Sequence, residues 1–93
     1  MRYNFPALKG LEKLTVGQQL QKIEEEVKEL ERELQRAESF RYIAVEALNI
    51  IHACETLLRM LEDVTDIRAA YSYVIKKNRE RGYYDGMDGM GND

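Results

Sequence analysis

Tryptophan is absent from this chain of 93 residues, proline occurs once, at Pro6, and cysteine once, at Cys54. With 33% charged and 44% hydrophobic residues, such a chain is neither a disordered polymer nor a sheet-rich fold, and the balance favours a soluble helical protein. The excess of one sign of charge is small too. A formal net charge of -3 and a pI near 5.2 argue against general affinity for nucleic acid or anionic membranes, leaving only local basic patches. No uncharged run approaches the roughly 18 residues of a membrane span, and MRYNFPALKG lacks the apolar stretch of a secretory leader. The cytoplasm is therefore the expected location. There is no internal repeat, and the aspartates of GYYDGMDGMGND do not have the alternating spacing of a calcium loop. The lone Cys54 sits among Ile50, Ile51, Ala53, Leu57 and Leu58, so it reads as a buried small hydrophobe without a chemical role.

What the sequence does have is helical periodicity. Residues 1–14 read as an arm that wraps against the domain. Thr15 and Gln18 have capping-box spacing, and Val16, Leu20, Ile23, Val27, Leu30, Leu34 and Ala37 then recur at alternating intervals of four and three. That is a long helix with a narrow seam of coiled-coil type. Ser39 is a candidate cap for a second helix over 42–61, apolar on most sides and therefore expected to be buried. Asp63 or Thr65 offers a cap for a third, amphipathic helix marked by Ile67, Ala70, Tyr71, Val74 and Ile75 and running to about Arg81, where Gly82 suits its end. The expectation is an all-α fold, an antiparallel bundle of three to four helices over residues 15–82. Residues 83–93 are expected to form a flexible, glycine-rich tail. At this length a single core is marginal, so completion by oligomerisation is a reasonable expectation.

The residues that could carry chemistry are acidic. On a helix, Lys22, Glu26, Glu29 and Glu33 form a strip beside the seam, so a second helix docked on that flank would meet them. Their ordinary reading is a solvated face that pairs with Lys22 or Lys28. Between Ile43 and Cys54 the only polar side chains are Glu46, Asn49 and His52, and the first two share a face with Tyr42 and Thr56. A carboxylate and an amide in so apolar a helix are costly if buried without partners. Packed antiparallel, the two helices can bring Glu26, Glu29, Glu46 and Asn49 to one point, where several oxygens suit magnesium. His52 reads as a satisfied or exposed histidine rather than a base.

Taken together, KIEEEVKEL with Glu26 and Glu29, Glu46-Ala-Leu-Asn49 after a gap of sixteen residues, and IKKNRERGYYDG resemble the MazG-like all-α nucleoside triphosphate pyrophosphohydrolases over about residues 15–85. That family carries ExxE on one helix, ExxD on the next, and a closing helix with Lys, Asn and Arg. The resemblance implies magnesium held by Glu26, Glu29, Glu46 and Asn49, with Glu26, Glu29 and Glu46 serving catalysis. It implies triphosphate contacts from Lys22, Asn78 and Arg81, and release of pyrophosphate and a nucleoside monophosphate by a homodimer or homotetramer. Asn49 stands where the family has aspartate. Two outcomes stay open: a slower enzyme, or a nucleotide binder or silent helical adaptor. Phe5, Phe40, Tyr42 and Tyr83 are candidates for base selectivity. Nucleic-acid binding through KKNRER is disfavoured by the acidic remainder.

Overall fold

The computed structural model describes residues 2–36 and 39–84. Among these there is no strand. A single 3₁₀ turn, Leu11–Lys13, precedes three helices: α1 (Val16–Arg36), α2 (Phe40–Leu61) and α3 (Ile67–Glu80). Each start has a local cause. At α1 the capping box forms in both directions, the Thr15 hydroxyl accepting from Gln18 N (3.1 Å) and the Gln18 side chain accepting from Thr15 N (2.9 Å). Ser39 caps α2 by accepting from Arg41 N, which starts that helix two residues before the expected Tyr42. Asp66, rather than Asp63 or Thr65, caps α3 by accepting from Ala69 N. Asp63 and Thr65 fall in the turn that closes α2, where Val64 N and Thr65 N both donate to Leu61 O. At the end of α3, Gly82 takes φ 77°, Gly82 N donates to Arg79 O, and Tyr83 N donates to Asn78 O. That crossed pair of bonds is a Schellman cap, and its left-handed residue is the expected glycine.

Only three residues separate Arg36 from Phe40, so α1 and α2 run antiparallel, and their contact is the main packing of the fold. α3 touches the pair only marginally, although its first residue, Ile67, is buried. The result is an open arrangement. The radius of gyration is 15.8 Å, against about 12 Å for a compact domain of this length.

The expectation of a buried second helix needs correction. Val45, Leu48 and Ile51 on α2 stay exposed, as does Phe40 at its start, and Cys54 is an exposed free thiol rather than a buried hydrophobe. The physical reason is that α2 has one neighbouring helix and one short arm to pack on, too few to surround an apolar rod. Among the described residues the only buried apolar side chains are Ala53 and Ile67, each 7% exposed, while fifteen large hydrophobic ones are exposed. Ala37 and the tail from 85 onward lie outside the described residues.

Candidate functional site

The face that α1 turns towards α2 is more polar than its apolar seam would suggest. Gln19 is 3% exposed and donates from Nε2 to Ala53 O at 2.9 Å, which pins the register of the two helices. Ile23, Glu26, Leu30 and Glu33 continue that face, all half-buried. The Glu26 side chain is 15% exposed, whereas the neighbouring Val27 is 40% exposed. On α2, the matching face carries Glu46, Asn49, Ala53 and Thr56, the last two buried and the first two half-buried. From the Gln19–Ala53 contact, two turns forward on α1 lead to Glu26, and two turns back on α2 lead to Glu46. Antiparallel helices therefore hold these two carboxylates at one level.

The other site candidates are placed differently. Asn49 Nδ2 donates to Glu46 Oε1 at 3.3 Å, so the α2 pair is joined, with Glu46 Oε2 and Asn49 Oδ1 left over. Glu26 pairs with Lys22 at 3.1 Å, and Glu29 is half-exposed and paired with Arg32 on the rim. Asn78 is half-buried and donates to the Tyr84 hydroxyl at 3.4 Å, while Arg81 is the exposed C-cap of α3. Both lie on the helix that barely meets the α1–α2 pair. A shallow depression of about 270 Å³ runs along α1, lined by Lys22, Glu25, Glu26, Lys28, Glu29 and Arg32. Its three cations and three carboxylates balance, so it does not concentrate negative charge. Among the described residues, no three His, Cys, Asp or Glu side chains gather closely enough to hold a metal ion. The donors of Glu26, Glu46 and Asn49 are hard oxygens of the kind magnesium takes, while Glu29 is paired with Arg32.

A second cluster, unforeseen from the sequence, fastens the N-terminal arm to the far side of α2. The carboxylate of Glu55, 8% exposed, accepts from Asn4 N through both oxygens at 3.0 Å and from Phe5 N at 2.9 Å. Arg59 Nη2 donates to Phe5 O at 2.6 Å, and its guanidinium lies 4.4 Å from the centre of the Tyr3 ring. Phe5 stacks on His52 with ring centres 4.7 Å apart, and the Tyr3 hydroxyl donates to Glu62 at 2.9 Å. Phe5 is thus held in the arm by its ring and by its backbone. Two nitrogens in this cluster, His52 Nε2 and Arg59 Nη1, are buried without a hydrogen-bond partner. The signal that would have found it is spacing: His52, Glu55, Arg59 and Glu62 recur at three, four and three along one face of α2.

Among the described residues no helix is long and apolar enough to cross a membrane. No family model, no curated protein and no solved structure matches the chain.

Proposed function

We propose that this chain is a magnesium-dependent nucleoside triphosphate pyrophosphohydrolase of nucleotide-pool housekeeping, working as a homodimer or homotetramer. The observation that supports it is the partition of polar and apolar groups. Glu26, Glu46 and Asn49 are half-buried while Leu20 and Val27 remain exposed. Carboxylates so placed are costly unless something meets them, and a cation is the natural guest.

In this reading Glu26, Glu46 and Asn49 hold the ion, and Glu29 joins them when Arg32 releases it. Bound magnesium would neutralise triphosphate charge and lower the pKa of the attacking water. Lys22, Asn78 and Arg81 supply donors to phosphate oxygens, the last two from α3 of the same or a second chain. One observation favours a different reading. Glu29 is engaged by Arg32 and Glu26 by Lys22, as expected of a solvated face, which fits a catalytically silent helical adaptor or a nucleotide binder.

Asn49→Asp separates the two. It restores a fourth carboxylate, and a unit charge at coordination distance is worth several kcal/mol before desolvation. We expect magnesium affinity to rise at least about tenfold and pyrophosphate release from a panel of triphosphates to rise with it. If neither wild type nor Asn49→Asp releases pyrophosphate from any triphosphate, the hydrolase reading is wrong and the adaptor reading stands.

A further inference from the structure

Outward on α1 lie Val16, Leu20, Val27 and Leu34, each at least 40% exposed. With half-buried Ile23 and Leu30 they make one row at positions 16, 20, 23, 27, 30 and 34, whose successive intervals are 4, 3, 4, 3 and 4. That series reads the same from either end. Reversing the helix about the level of Glu25 lays position 16 on 34, 20 on 30 and 23 on 27. We infer that α1 packs antiparallel against α1 of a second copy of this chain, across a two-fold axis at that level.

A two-fold interface must be self-complementary, and a row symmetric under reversal meets that requirement at each of its six positions. The pairing also matches the layers of an antiparallel coiled coil. Charge agrees. Glu24 and Lys28 flank the row on the side away from α2, and among the described residues neither joins an ion pair within its own chain. Reversal brings both Lys28 and Glu24 of the second copy within two residues of the level of Glu24, about 3 Å along the axis, so the two facing carboxylates meet two ammonium groups.

Other occupants fit less well. The row from 16 to 34 is about 27 Å long, and residues 85–93, DGMDGMGND, offer only two methionines to cover it. Membrane-surface helices carry Lys and Arg beside their apolar face, whereas this row is bordered by Glu24 and Glu31. The inference is independent of the proposed hydrolysis, because no residue of the row is a candidate ligand, although half-buried Ile23 and Leu30 also border α2.

The test uses the full chain with Cys54→Ser, which removes the native thiol. Sedimentation should show a dimer or a larger even-numbered assembly, and Val27→Glu should give a monomer with unchanged helical circular dichroism. Orientation is read by oxidation of single cysteines on the exposed flank, where folding is not at stake. Glu24→Cys should form a covalent dimer at least about tenfold faster than Gln35→Cys, by the higher effective concentration of facing thiols. Reversal holds position 35 level with position 15, far from its own copy. Equal cross-linking at 24 and 35 would mean parallel helices and overturn the inference. Sedimentation as a monomer at the highest soluble concentration would do the same.

Discussion

Replacing Glu55 by alanine tests whether the N-terminal arm is part of the fold. The carboxylate is 8% exposed and takes two backbone N–H groups, those of Asn4 and Phe5. Hydrogen bonds to a charged group contribute about 1.5 to 3 kcal/mol each, so the pair supplies about 3 to 6 kcal/mol. Ordering the backbone of Tyr3, Asn4 and Phe5 costs about 1 to 2 kcal/mol per residue, a similar amount. The arm is therefore held near balance, and the Arg59 bond, the Phe5–His52 stack and the Tyr3–Glu62 bond decide in favour of docking. Without Glu55 the arm can peel away and its amides return to water, which limits the loss to the net docking energy. We expect Glu55→Ala to cost about 2 kcal/mol, or roughly 8 to 16 °C in Tm for a domain of this size. Glu55→Gln, which keeps an acceptor oxygen but not the charge, should lose about half as much. Melting is measured at one fixed protein concentration, since association would otherwise shift it, and amide exchange at Asn4 and Phe5 is followed alongside. Stability within about 0.5 kcal/mol of wild type, the range of an ordinary surface change, together with unaltered exchange at both amides, would refute the clamp.

Gln19→Ala removes a side chain that is 3% exposed and its bond to Ala53 O, and should cost about 1 to 2 kcal/mol from the lost bond and the small cavity; denaturant melts showing no change would mean that Gln19 does not set the register. Burial, and then the hydrogen bond to Glu62, raise the Tyr3 pKa above its ordinary 10.0. The folded state thus prefers the neutral phenol, so this contact contributes fully below pH 10 and is lost as pH rises through the raised value. In a tyrosinate absorbance titration, Tyr3→Phe should remove the latest-titrating portion of the curve, and removal of an early portion would contradict the assignment.

The helices were legible because their signals are local. The Thr15–Gln18 capping box, the Ser39 cap and Gly82 act over a few residues, and a few residues are what a sequence displays. The cap of α3 was misplaced by one to three positions because Asp63, Thr65 and Asp66 are all competent acceptors within one turn. Which of them serves depends on where the backbone leaves α2. The strip beside the seam of α1 is divided in its burial. The side chains of Glu26 and Glu33 are 15% and 13% exposed, whereas those of Lys22 and Glu29 lie further round and are 54% and 50% exposed. Glu55 was not legible, because its partners are backbone amides about fifty positions away, and a backbone amide has no sequence signature. Cys54 was misread because apolar neighbours in sequence surround a helix, while burial depends on what packs against one side of it.

The misplaced burial has a single geometric source. A seam at alternating intervals of four and three suggests one partner, met face on. Here α2 docks off the centre of the seam, on the side of Gln19, Glu26 and Glu33, which puts carboxylates inside and leaves Leu20, Val27 and Leu34 outside. α1 therefore carries two faces with different chemistry: an oxygen-bearing one towards α2 and an exposed apolar one. The two can be disturbed separately. Glu26→Gln alters the inner face without touching the outward row, whereas Val27→Glu does the reverse. If both variants lost association equally, α1 would be a single interface and the separation of site from assembly would fail. If only Val27→Glu dissociates the protein while only Glu26→Gln changes its response to magnesium, the two faces act independently.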